Sequence, residues 1–257
     1  MSAAPSDELD EGELVLHGRI MPASNATFLG QIGEEKVVYK PISGERPLWD
    51  FPIGTLADRE VAAYVVSQAF PWGVVPPTWL RDGPHGPGMV QLWQEPDPEQ
   101  AAVTIVEEGD LPEGWKHVFD GIDGRDMPVS LIHEDTEALR RMALLDVVIN
   151  NADRKGGHVL EMTDGHRYGV DHGVSFHVEH KLRTVLWGWV GDPVPGADLD
   201  EVHRVARELR GDLGDALAVH LTDQEIEATV GRCRRLSDRA VMPSPRGDYP
   251  AIPWPPF

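Results

Sequence analysis

The sequence is short of cysteine, of positive charge and of long apolar runs, and each shortage excludes something. One cysteine, Cys233, in 257 residues leaves no intramolecular disulfide and no Cys-rich zinc knuckle. Only 23 Lys and Arg stand against 43 Asp and Glu, a formal charge of −20. Such a surface repels phosphodiester backbones and anionic headgroups, which argues against nucleic-acid binding and against stable membrane association. No apolar run approaches the roughly 18 residues that a membrane span needs. The acidic stretch 1–13 lacks the basic and apolar segments of a secretory signal. A cytoplasmic protein is the expectation.

Several catalytic signatures are also missing. G-x-x-x-x-G-K-[ST], H-E-x-x-H and G-x-S-x-G do not occur, so a Walker-type phosphate loop, a helix-borne zinc protease site and a hydrolase nucleophile elbow have no sequence support. What is present in excess is Gly and Pro, 26 and 22 residues, which argues for many turns and against a helical bundle.

The chain divides by composition into a disordered acidic lead (1–13), a β-rich N-terminal lobe (14–94), a mostly helical C-terminal lobe (95–242) and a Pro-rich, extended tail (243–257), an α+β arrangement. Residues 14–20, 36–40 and 89–93 read as strands. Residues 56–69 carry Ala, Val and Tyr at helical spacing and stop before Pro71 and Gly73. The stretch 95–127 is acidic, Gly- and Pro-rich, and reads as a linker with an irregular insertion. Helices follow at 137–150, 199–209 and 222–236, the last with a Thr222/Glu225 capping box. Short strands at 158–162 and 167–170 flank a turn at Asp164–Gly165.

Chemistry concentrates at Asn151-Ala-Asp153-Arg154-Lys155-Gly-Gly-His158, followed thirteen residues later by Asp171-His172-Gly173. A helix end and a tight turn present Asp153. The hairpin that starts at His158 returns Asp171 to the same end. One imidazole and one carboxylate that converge can hold a divalent cation, and a second carboxylate can take a proton from a hydroxyl. The same residues also suit a plain polar hairpin, since Asp and Gly are ordinary turn residues.

The pattern D-R-x-x-x-[N/H], then thirteen residues to D-x-G, resembles the catalytic and metal-binding loops of phosphatidylinositol 3-/4-kinase-type domains, and more loosely the bacterial HipA-type serine kinases. The whole chain resembles the small actinobacterial branch of that group. The resemblance implies a two-lobed protein-kinase-like fold. It places Asp153 on the catalytic aspartate, and His158 and Asp171 on the metal-binding pair for Mg²⁺ or Mn²⁺. Two departures stand out. His158 replaces the usual Asn and, as an imidazole, favours Mn²⁺; Lys155 replaces a usual His and is placed to neutralise the transferring phosphoryl group.

In the N-terminal half the resemblance puts Lys40 on the ATP phosphates, with Glu60 of the next helix as its ion-pair partner and Asp58 as a competitor. Lys40 as an exposed strand-end lysine and Glu60 as part of a solvated helix face are the alternatives. Ser24, Asn25 and Thr27 lie where a phosphate-covering loop belongs. Backbone groups near Gln91 and Trp93 would meet the adenine edge, with Met89 or Trp93 packed on its face; a core strand explains the same residues. Trp187 and Trp189 read as packing, with a substrate role open. Arg204, Arg207 and Arg210 read as a solvated helix face.

The resemblance implies an ATP-dependent phosphotransferase that moves the γ-phosphoryl group to a hydroxyl. The net charge and the near absence of cations at 174–195 favour a protein Ser/Thr acceptor, the chain itself included, or a small soluble alcohol over a lipid. A catalytically inactive nucleotide-binding pseudokinase or scaffold is the alternative, favoured by His158. A transition-metal site built from His158, His166, His172, His177 and His180 is a third.

Overall fold

Five antiparallel strands form the first layer. They are β1 (Leu14–Arg19), β2 (Phe28–Ile32), β3 (Glu35–Pro41), β4 (Thr78–Gly83) and β5 (Gly86–Leu92), in the order β1-β2-β3-β5-β4. The computed structural model describes residues 7–21, 23, 25–246 and 250–257. Strand alternation gives the sheet two faces. Val37, Tyr39, Trp79 and Val90 bury one face with Leu14 and Ile32. Val38, Lys40, Met89 and Gln91 point to the other, because Lys40 is paired with Met89 and Val38 with Gln91. On that second face lies helix α2 (Leu56–Ala69), whose Ala57 and Val61 pack against Met89.

The stretch expected to be a disordered lead contains a short helix, α1 (Asp7–Glu11). Its carbonyl end is pinned by the Arg81 guanidinium, which donates to the carbonyls of Leu9 (2.8 Å) and Gly12 (2.7 Å). That partner lies some seventy residues away, beyond the reach of a local reading.

A larger correction concerns residues 95–127. In place of a linker with an irregular insertion there are strands β6 (Val103–Glu107) and β7 (Trp115–Ile122). They join β8 (Pro128–Glu134) in an antiparallel sheet of order β6-β8-β7. The period-two signal is weak because no residue of β7 is fully buried and its register shifts between His117 and Phe119. Through Ala102, Val103 and Leu131 this sheet joins the core of the C-terminal region.

That core is helical. It is built on α3 (Glu137–Ile149), α4 (Gly196–Glu208), α5 (Asp212–Leu217) and α6 (Asp223–Arg239). Helix α3 buries Leu139, Met142, Leu145 and Ile149, the stripe read from the sequence. The Thr222/Glu225 capping box at the start of α6 is present. A two-stranded hairpin, β9 (Val159–Glu161) and β10 (Arg167–Gly169), lies between α3 and α4. The architecture is therefore α+β, with a β-rich N-terminal lobe and a mostly helical C-terminal lobe. Among the described residues no helix is long and apolar enough to cross a membrane.

The tail also departs from expectation. Residues 250–257 fold back onto the C-terminal lobe. The Ala251 carbonyl accepts from Thr184 N (3.1 Å) and Trp187 Nε1 (2.8 Å), and the Pro256 carbonyl accepts from Gly156 N (2.8 Å). Specific partners, and not the intrinsic stiffness of proline, set its course.

Candidate functional site

Helix α3 ends at Asn150, whose left-handed backbone (φ 56°) turns the chain. The Asn150 side chain donates to the carbonyls of His177 (2.9 Å) and Glu179 (2.7 Å) and accepts from Lys181 N (3.0 Å). Asn151 donates to Asp146 Oδ1 (2.9 Å) and accepts from Asp153 N (3.0 Å). Two consecutive amides therefore fix where Asp153 emerges. The Asp153 carboxylate, about a quarter exposed, faces Lys155 Nζ at 3.3 Å.

Beneath this loop is a group the sequence reading left without a role. Arg154 is fully buried and grips both oxygens of the equally buried Asp146 (Nε–Oδ2 2.9 Å, Nη2–Oδ1 2.9 Å). It also donates to the carbonyls of His158 (3.0 Å) and Val170 (3.2 Å) and to His172 Nε2 (2.6 Å). One guanidinium thus clamps both strands of the hairpin. The donated bond fixes His172 as a neutral imidazole; burial, and then the Arg154 charge, hold its pKa well below the ordinary value. Arg154 was visible in the D-R pair, but Asp146, inside an apolar helix, carried no functional signal.

The hairpin delivers Asp171 in a left-handed backbone conformation (φ 61°), which Asp tolerates. Its Oδ1 lies 2.7 Å from Lys40 Nζ and its Oδ2 lies 3.3 Å from His158 Nε2. Lys40 Nζ is also 2.6 Å from Glu60 Oε1. The other Glu60 oxygen accepts from His172 N at 2.8 Å. Asp58 pairs instead with His220 (2.8 Å). The Lys40 charge draws the Asp171 carboxyl below the usual range, against the opposing effect of burial. Burial works against the Lys40 charge, but Asp171 and Glu60 outweigh it and raise the lysine.

His158 has a defined tautomer. Nδ1 donates to the Asp153 carbonyl at 2.9 Å, so Nε2 carries a lone pair. Burial lowers its pKa and keeps it neutral. Nε2 and Asp171 Oδ2, two acceptors, then face each other at 3.3 Å. Donors at about 2.1 Å from one ion at a right angle would stand about 3 Å apart, so this spacing suits a small divalent cation between them. Among the described residues no third His, Cys, Asp or Glu joins them. The pair fits an ion that takes its other ligands from phosphate and water.

The remaining sequence candidates are differently placed. Ser24 lies outside the described residues. The loop before β2 closes against the end of β3, with Ala26 N bonded to the Gly44 carbonyl (3.1 Å). There, Asn25 accepts from Arg46 N (2.8 Å) and Thr27 donates to the Asn25 carbonyl (3.4 Å). Met89 is buried beside Ala57 and Val61. The Gln91 amide is committed to Thr78 Oγ1 (2.8 Å), and the half-buried Trp93 donates to Glu95 (3.0 Å). Trp187 and Trp189 are buried in the C-terminal lobe. Arg204 is paired with Glu201 and Glu208. Four histidines of the supposed transition-metal cluster have separate partners: His158 the Asp153 carbonyl, His166 the Gly73 carbonyl, His172 the Arg154 guanidinium and His177 the Glu179 amide.

No family model matches the sequence. The chain is 49% identical to Protein Rv2133c of Mycobacterium tuberculosis over 262 aligned residues, covering 97% of this chain and 94% of that protein. It is also similar to the crystal structure of a Helicobacter pylori proinflammatory kinase, CtkA, with a TM-score of 0.47 and 10% identity over 93% of this chain and 95% of that one.

Proposed function

The chain belongs to the same family as Protein Rv2133c, and for this chain we propose an ATP-dependent phosphotransferase that moves the γ-phosphoryl group to a hydroxyl acceptor with a divalent metal. The single observation that carries the reading is the Lys40 ammonium held between Glu60 (2.6 Å) and Asp171 (2.7 Å), with His158 on the far side of Asp171. A cation on the N-terminal sheet, oriented by a buried acid, meets a carboxylate–imidazole pair from the C-terminal lobe.

In this mechanism Lys40 neutralises the ATP phosphates and Glu60 keeps it aimed. His158 and Asp171 would hold Mg²⁺ or Mn²⁺, which would supply charge neutralisation when bound. The acceptor oxygen forms a bond to the γ-phosphorus as the bond to the β–γ bridging oxygen breaks. Asp153 orients the acceptor hydroxyl and takes its proton. Lys155, beside Asp153, offsets charge on the transferring group. ADP and a phosphate monoester leave. The acceptor we favour is a protein Ser/Thr, including this chain, or a small soluble alcohol, because a surface at −20 disfavours anionic bilayers.

A nucleotide-binding protein without transfer is the second reading, favoured by the imidazole at position 158. Incubation with γ-labelled ATP and Mn²⁺ or Mg²⁺, followed by mass spectrometry of the protein and of added acceptors, separates the two. Label on a hydroxyl supports transfer. Saturable ATP binding with no label under either metal supports the second reading.

A further inference from the structure

Away from Lys40, a cavity of about 270 Å³ opens beside the last turns of α6. Arg232, Arg235, Arg239 and Arg246 line it, with His180 and Ser244. Four guanidiniums around one cavity are unexpected in a chain at −20. Their charges are not met by carboxylates, as those of six other arginines are. Arg59, Arg141, Arg154, Arg167, Arg204 and Arg210 each have a carboxylate partner, whereas among the described residues these four have none.

Arg232 is the built part of the site. It is 6% exposed and anchored by donation to the carbonyls of Val148 (2.7 Å) and His177 (3.2 Å) and to Thr229 Oγ1 (2.6 Å). Three of its five N–H groups are used, and among the described residues no carboxylate pairs with the buried cation, although the Glu225 charge acts on it from beyond ion-pair distance. Burial accordingly pushes its pKa down to about 10. Val147, Leu182, Leu236 and Pro243 add an apolar part to the lining.

We propose that this cavity is a binding site for a phosphate dianion, free or carried as a small monoester, with Arg232 as the buried anchor and Arg235, Arg239 and Arg246 closing over the charge. Guanidiniums suit tetrahedral oxyanions because their planar forks donate in pairs. The volume exceeds that of a bare phosphate and approaches the lower range of small-ligand pockets, roughly 300 Å³. The apolar part of the lining gives an ester body somewhere to pack. Because Arg232 bonds the His177 carbonyl, the bound anion would also brace the segment that follows Asp171.

Calorimetric titration of the full chain with inorganic phosphate and with phenyl phosphate, at low and at physiological salt, tests this. One saturable site is expected, weakened by added NaCl and weakened at least tenfold in R235Q/R239Q, whose positions are exposed and whose fold is checked by circular dichroism. Tighter binding of phenyl phosphate identifies an ester; equal binding identifies the free ion. No saturable binding at millimolar ligand overturns the proposal. So does unchanged affinity in R235Q/R239Q, or a signal lost in K40Q and retained in R235Q/R239Q.

Discussion

Lys40 and Asp171 are 131 residues apart in the chain, yet Lys40 Nζ lies 2.7 Å from Asp171 Oδ1. The contact joins the two lobes. Glu60 completes it from the N-terminal side, with its side chain 3% exposed.

The first prediction follows from that burial. K40M leaves Glu60 without its counter-ion and should destabilise the fold by roughly 3 kcal/mol in urea unfolding. Removing the orphaned charge as well, in K40M/E60Q, should recover part of the loss. Strictly additive losses would show that the two groups do not interact. Nucleotide-dependent transfer should fall by roughly a hundredfold or more in either variant.

The Arg154 clamp gives a second test. Lysine retains the charge but not the paired donors that hold Asp146, the hairpin carbonyls and His172. R154K should lose about 3 kcal/mol or more in unfolding experiments, with loss of any transfer activity. Wild-type stability would mean that the hairpin does not depend on this guanidinium.

Gly156 and the tail can be tested by a double-mutant cycle. A side chain at Gly156 would collide with the Phe257 ring. G156A should destabilise by about 1–3 kcal/mol. Trimming the obstacle in G156A/F257A should return part of that, with a coupling of at least about 0.5 kcal/mol in thermal or chemical unfolding. Zero coupling would place the tail elsewhere in solution.

These tests separate what the sequence made legible from what it hid. The convergence of His158 and Asp171 was legible in the hairpin pattern, whereas the approach of Lys40 and Glu60 to them was suggested only by the family resemblance, since a strand-end Lys and a helix-face Glu are ordinary residues taken alone. Helix α3 was readable from its apolar stripe. The sheet of β6, β7 and β8 was not, because apolar residues such as Ile105 and Ile122 face outward, which blurs the two faces, and a register shift interrupts the alternation. Arg81 under α1, Arg154 on Asp146 and the tail against Gly156 escaped for a shared reason. Each depends on a partner that adjacency in sequence does not reveal, and neither hydrophobic period nor motif spacing encodes such pairing.

A pH dependence follows from His133, which is remote from the candidate site. Its Nδ1 donates to the Glu134 carbonyl (2.9 Å) and its Nε2 accepts from Gly188 N (3.0 Å). Burial lowers its pKa to about 4 against the partial opposition of Glu134 and Asp135, with Lys116 reinforcing the shift. Below about pH 6.5 the unfolded chain gains a proton that the folded chain refuses. Stability present above pH 6.5 is therefore lost as pH falls toward 4, by up to ~3 kcal/mol. The difference in unfolding free energy between wild type and H133Q, measured from pH 7.5 to 4, should narrow across that window. A constant difference would remove His133 as its source.

In the proposed transfer, Asp171 acts from the meeting point of the two lobes. The most direct test is the rate of label transfer from γ-labelled ATP, with Mn²⁺, by wild type and D171N at equal ATP occupancy. We expect transfer by wild type and a rate lower by roughly a hundredfold or more in a folded D171N. Equal rates, or no transfer by wild type with ATP and Mn²⁺ bound, would contradict the account.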